Sequence, residues 1–148
     1  MEITIRSVSE SDFPQLIDLF KEFAIFEKHP DKMVNSIERM MQEKEFFNCF
    51  VAETNDGKII GYATYFYSYY TWSGKSLYMD DLYVTPNFRA KGIGSQLINK
   101  VIDFARTSNC HKVRWQVSRW NQQAIGFYNS LGATIDDVEW NCDLLLSR

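Results

Sequence analysis

The chain has 148 residues, of which 45% are apolar and 24% charged, with a net charge of −3. This length suits one domain with its own core, residues 1–148, and the acidic balance disfavours nucleic acid and anionic membrane as partners. Three scattered cysteines, Cys49, Cys110 and Cys142, and two isolated histidines, His29 and His111, have neither disulfide nor metal-ligand spacing, so no metal is expected and a cytoplasmic location is. In chain order, Ile3 to Ser7 reads as a first strand, and the opening stretch Met1 to Arg6 is a strand-like alternation, not a signal peptide. Ser9 or Ser11 caps a helix expected over about Asp12 to Phe26, its buried face carrying Leu16, Ile17, Leu19, Phe20 and Phe23. His29-Pro30-Asp31 breaks it, and a second helix is expected from about Asp31 to Glu43. Strands follow over Phe47 to Glu53 and Lys58 to Ser68, joined by the hairpin turn Asn55-Asp56-Gly57. A turn at Trp72-Ser73-Gly74-Lys75 leads into a strand over Leu77 to Val84. After a helix that begins at Gly92 and Gly94 come a strand at Lys112 to Val117 and a short helix over about Asn121 to Leu131, closed by Gly132. A last strand pair is expected over about Thr134 to Leu146. The order β-α-α-β-β-β-α-β-α-β-β is that of an α/β domain with helices packed on a mixed sheet.

The most informative segment runs from Asp80 to Ser95. Pro86 and Asn87 stop the strand. Gly92 and Gly94 carry no Cβ and allow a ligand close to the backbone. Leu97, Ile98, Val101, Ile102 and Ala105 recur at helical spacing, so the helix starts at the glycines. Its first amides lack carbonyl partners and, with the helix dipole, attract an anion such as phosphate. Arg89 and Lys91 add positive charge. No Gly-Lys-Ser/Thr follows, which excludes a P-loop, and a third glycine is missing from the dinucleotide fingerprint.

Arg89-x-x-Gly92-x-Gly94 after a strand ending in Val84-Thr85-Pro86 resembles the pyrophosphate-binding signature of the GNAT superfamily of acyl-CoA-dependent N-acyltransferases. Asn121, Phe127-Tyr128 and Gly132 are similar to that superfamily's second signature. The order of elements agrees, so the resemblance covers essentially the whole chain. It is closer to the diamine (spermidine/spermine) and thialysine N-acetyltransferase branch, through Phe47–Glu53, Tyr65–Lys75, Leu77–Val84 and Trp120-Asn121. Two departures are Asp80, where the branch commonly has Glu, and Asn129-Ser130, where it often has basic residues. The resemblance implies a single-domain fold with a mixed, mostly antiparallel sheet flanked by helices, and acetyl-CoA as co-substrate. It implies that Leu82, Tyr83 and Val84 on a splayed strand, the turn Arg89, Ala90, Lys91, Gly92, Ile93, Gly94 and Ser95, and Asn121 hold the co-substrate. It also places the Tyr128 hydroxyl near the thioester sulfur and implies a homodimer.

An amine must be neutral to attack a thioester, and an alkylammonium of pKa near 10.4 is neutral in only about one molecule in two thousand at pH 7. A carboxylate can take its proton, directly or through water. Asp80 and Asp81 are the candidates, although adjacent residues on a regular strand face opposite ways unless a bulge intervenes. By resemblance, Asp80 is the base and Asp81 the anchor for a distal ammonium. A backbone amide of the Leu82–Val84 strand would stabilise the developing oxyanion, and Tyr128 would protonate the leaving thiolate. No Ser/His/Asp or Cys/His nucleophile set is present, which favours direct attack in a ternary complex. Glu27, Asp80, Asp81 and Trp72 suit a small cationic acceptor, such as a polyamine or a lysine-like amino acid. A protein or peptide amine, or a non-catalytic CoA-binding regulator, are the alternatives.

Overall fold

Asn55-Asp56-Gly57 does turn the chain back on itself, with Gly57 at φ +83, a left-handed position that glycine occupies without steric cost. It joins β2 (Asn48–Thr54) to β3 (Ile59–Tyr70), and a second tight turn joins β3 to β4 (Gly74–Val84). With β1 (Ile3–Ser7) and β5 (Val113–Arg114) these form one open sheet in the order β1-β2-β3-β4-β5. The first four strands pair antiparallel, and β5 alone is parallel to β4. The helices are α1 (Phe13–Phe26), α2 (Ile37–Gln42), α3 (Ile93–Thr107) and α4 (Gln122–Ser130). The computed structural model describes residues 2–148. They divide into two units, the first ending at Gln116 and the second running from Val117 to Arg148.

In the first unit the sheet is covered on both faces, which is why β2 is buried along most of its length, with Cys49, Phe50, Val51 and Ala52 apolar in succession. One face carries the core formed by Phe13, Leu16 and Ile17 of α1, Met40 of α2, and Cys49, Val51, Tyr62 and Tyr83 of the sheet. On the other face Phe104 of α3 meets Phe50 and Tyr65 at ring-centroid distances of 6.1 and 5.1 Å. At the start of α1, Arg6 Nη1 and Nη2 donate to both Asp12 carboxylate oxygens at 2.8 Å, and Nη2 donates to Glu53 Oε2 at 2.9 Å. This ties β1, the first turn and β2 together. The guanidinium holds the Asp12 carboxyl below the usual carboxylate range.

The second helix is shorter than its apolar spacing suggests. Residues 30–32 form only a 3-10 turn, and α2 begins at Ile37. Local side chains make the break. Asn35 Oδ1 accepts from the Ser36 amide at 2.9 Å, and Ser36 Oγ caps the helix by accepting from the Arg39 amide at 3.1 Å.

In the second unit α4 ends in a Schellman motif, with Gly132 at φ +86, its amide on Asn129 O and the Ala133 amide on Tyr128 O. The strand pair expected over Thr134 to Leu146 is not formed, and Val138, Trp140, Leu144, Leu145 and Leu146 are exposed. An alternating apolar pattern supplies strand propensity, but a strand also needs a hydrogen-bonding neighbour and a surface to cover. Among the described residues this segment forms no ladder with another strand.

Candidate functional site

The register of β3 against β4 decides what the acidic pair can do. Thr64 pairs with Asp81 and Tyr65 pairs with Met79, so Asp80 is an extra residue bulged out of the ladder. On a regular strand the two carboxylates would face opposite sides of the sheet. The bulge instead brings both to one cavity of about 440 Å³. Phe20, Phe23, Ala24 and Glu27 of α1 form one wall, and Thr64, Tyr65 and Phe66 of β3 another. His29, Lys32, Met33 and Asn35 lie on the segment after α1, and Phe46, Phe47 and Asn48 complete the lining.

Asp81 is held in place. Tyr62 Oη donates to its Oδ2 at 3.2 Å, and its own amide donates to Thr64 Oγ1 at 3.0 Å. Desolvation first, then the neighbouring Asp80 and Glu27 charges, push its carboxyl up to about 7, against the opposing Tyr62 hydrogen bond. Asp80 keeps part of its surface open to water, yet enough protein surrounds its carboxyl for desolvation to raise it as well. A cavity with three carboxyl groups that repel one another attracts a cation.

Below the bulge, β4 loses its neighbour. Among the described residues it pairs with β5 at Leu77 and Tyr78, and the stretch through Leu82, Tyr83 and Val84 has no strand on that edge. Such an edge can pair with an extended ligand. Beyond it, Ala90 and Gly92 both take left-handed φ values, +61 and +78, and turn the chain into α3. Gly92 is the N-cap without a side-chain cap, and the first helical bond is from Gln96 N to Gly92 O. The amides of Ile93, Gly94 and Ser95 are therefore those that a helix leaves unpaired. A Cβ at Gly92 would meet nothing within 4 Å, and one at Gly94 only Val84 Cγ2 at 4.0 Å. Space is kept open over the helix N-terminus, where an anion is favoured. Lys91 stands exposed beside it.

In the second unit Asn121 N-caps α4, its Oδ1 accepting from the Ala124 amide at 3.1 Å. Tyr128 is buried on the same helix, its ring 5.5 Å from that of Phe127.

The sequence profile of the Acetyltransferase (GNAT) family matches residues 13–133. The chain belongs to the GNAT acetyltransferases. A thialysine N-epsilon-acetyltransferase from Bos taurus is 35% identical over 153 residues, covering 95% of this chain and 90% of that protein. A spermidine/spermine N(1)-acetyltransferase-like protein 1 from Homo sapiens is 34% identical, covering 87% of this chain and 20% of that longer protein. Among solved structures, an integron cassette protein from the mobile metagenome of V. cholerae superposes with a TM-score of 0.78 at 27% identity, over 98% of this chain and 93% of that one.

GNAT enzymes use acetyl-CoA, and the open turn at Gly92 and Gly94 suits its pyrophosphate. Of the residues expected at the acceptor side, Asp80, Asp81 and Glu27 come together at the cavity. Trp72 does not: it is fully exposed at the tip of the β3–β4 hairpin and lines no part of the cavity. Its place on the hairpin follows from the turn, where no opposing wall exists to fold it inward. The aromatic lining comes instead from Phe20, Phe23, Phe46, Phe47 and Tyr65. The Phe20, Phe23, Ala24 and Glu27 spacing is a helical i, i+3, i+4, i+7 stripe and was the available signal for that wall. Tyr62 and Thr64, which fix Asp81, show no such signal, because their role depends on the cross-strand register.

Proposed function

We propose that this GNAT enzyme acetylates a primary amine of a small, multiply charged cation, a polyamine or a lysine-like amino acid, and that residues 1–148 act as one N-acetyltransferase domain. The bulge at Asp80 carries this reading, because it turns two adjacent carboxylates toward one aromatic-walled cavity that also holds Glu27. The names of the thialysine and spermidine/spermine relatives support it, and the family match across both units supports the single domain.

Bound acetyl-CoA supplies the acyl group as a thioester. Backbone amides of the Arg89–Ser95 turn would hold its pyrophosphate, with the edge of Leu82, Tyr83 and Val84 along its pantetheine, a role that the motif position also assigns to Asn121. Asp81, anchored by Tyr62, holds the distal ammonium of the acceptor. Asp80, more open to water, takes the proton of the reacting ammonium through a water molecule, leaving the nitrogen lone pair free to form the amide bond. A backbone amide of β4 stabilises the oxyanion. Tyr128 protonates the departing sulfur, a role assigned on its motif position. We also propose a homodimer that uses the exposed Phe66, Tyr67, Tyr69 and Trp72 hairpin, and a cytoplasmic location consistent with three free cysteines. Among the described residues no helix is long and apolar enough to cross a membrane.

Thiol release from acetyl-CoA, measured against a diamine, a monoamine of equal length, lysine-like amino acids and a lysine-containing peptide, tests the proposal. The diamine or the amino acids should give the highest kcat/KM. Preference for the peptide, or CoA binding without turnover on any amine, overturns it.

A further inference from the structure

Arg89 occupies the signature position at the phosphate turn, yet its side chain is engaged elsewhere. Its Nε donates to Val84 O at 2.8 Å. Its guanidinium carbon lies 4.8 Å from the ring centroid of Phe26 and 5.3 Å from that of Tyr83. Tyr83 in turn donates its hydroxyl to Glu22 Oε2 at 2.5 Å and packs its ring against Phe23 at 5.0 Å. The C-terminal end of α1 is thus fastened to β4 and the turn after it at three side chains, Glu22, Phe23 and Phe26, with the guanidinium as the outer layer. The last turn of α1 closes with Lys28 at φ +67, its amide on Ile25 O and the His29 amide on Ala24 O, so the clamp meets a helix end already capped by its own backbone. Glu27, which follows Phe26 directly, lines the acceptor cavity and acts on the Asp81 carboxyl.

We propose that Arg89 is a positioning residue for the acceptor, clamping the C-terminal turn of α1 onto the cofactor strand and so fixing Glu27 at the cavity, while the backbone amides of the turn hold the phosphate. A planar guanidinium can stack on Phe26 and Tyr83 and still donate Nε to Val84 O. An ammonium offers only a point charge. The clamp also gives the two halves of the reaction a shared part, since the loop that meets the pyrophosphate carries the residue that steadies the acceptor wall.

The inference rests on the acceptor reading of the cavity, and Arg89→Lys and Arg89→Ala test it. Both should raise KM for a diamine about tenfold, with the Kd of CoA by calorimetry changed less than threefold. In a Glu27→Gln background the same substitutions should have little further effect on KM, because the residue they position is already neutral. Amide hydrogen exchange at residues 23–29 should accelerate in both variants, while exchange in α3 stays unchanged. That readout needs no turnover, so it still tests the clamp if no amine proves to be a substrate. The proposal is overturned if Arg89→Lys leaves diamine KM and exchange at 23–29 as in the wild type. It is also overturned if Arg89→Ala weakens CoA binding and diamine binding in parallel.

Discussion

Replacing Asp81 with asparagine should make the protein more stable at alkaline pH while weakening its hold on a cationic acceptor. The Asp81 carboxyl sits at about 7 against an ordinary value of 3.8, so the folded chain binds this proton more tightly than the unfolded chain does. Between those two values the native state holds more protons than the unfolded state, and stability falls as pH rises. The penalty is complete above about pH 7 and absent below the unfolded value. At 1.36 kcal/mol per pH unit the upper bound is about 4 kcal/mol. Asp80 and Glu27 contribute to the same displacement, so about 2–4 kcal/mol is the range to expect from one residue. The asparagine side chain would keep an oxygen for the Tyr62 hydroxyl and a neutral group in the same volume. Urea unfolding of both proteins between pH 4 and 9 should give nearly equal stabilities at pH 4 and a gain of about 2–4 kcal/mol for the variant at pH 8, or roughly 5–15 °C in Tm. In the same variant KM for a diamine should rise with little change in kcat, because the ground-state attraction to the distal charge is lost. If wild type and variant show parallel pH dependence, or if the variant is the less stable at pH 8, the account of Asp81 as a strained, desolvated carboxyl is wrong.

Gly94→Val should weaken CoA binding without disturbing the fold, because a Cβ at that position meets only Val84 Cγ2 at 4.0 Å in the protein itself; undiminished affinity by calorimetry would remove the α3 N-terminus from the site. Tyr128→Phe should preserve CoA affinity and lower kcat by about 10²–10⁴-fold, and a wild-type kcat across the pH range would exclude it as the acid. Gly61→Ala should cost about 1–3 kcal/mol, since the added Cβ would lie 2.9 Å from Tyr83 O, a backbone atom that can retreat only by spreading β3 from β4; an unchanged Tm would mean the strands accommodate it freely. Asp80→Asn should lower kcat more than it raises KM and flatten the acid limb of the pH–rate profile, whereas unaltered amine kinetics would exclude it as the base.

The turn and helix start at Gly92 were legible in the sequence because their causes are local. Gly92 must carry a left-handed φ, the amides after it are unpaired wherever a helix begins there, and the apolar spacing of Leu97, Ile98, Val101 and Ala105 fixes that beginning. The Schellman end of α4 at Gly132 and the hairpin at Gly57 were legible for the same reason. The break before α2 was not, since the apolar period of Met33, Ile37 and Met40 runs across it, and two short polar side chains at Asn35 and Ser36 override that period. The acidic pair lies between these cases. Its residue types announced an affinity for cations, but whether Asp80 and Asp81 could serve one site depended on a single extra residue in the pairing of β4 with β3. Such a bulge belongs to two strands at once and has no signature in either. The same holds for Tyr62 against Asp81 and for the guanidinium of Arg89 over Phe26, residues that lie 19 and 63 positions apart in the chain. The order of the elements through α4 and the place where an anion is welcome follow from neighbours along the chain. The cavity, its raised carboxyl and the partners of Arg89 follow from neighbours across the sheet, and only folding selects those.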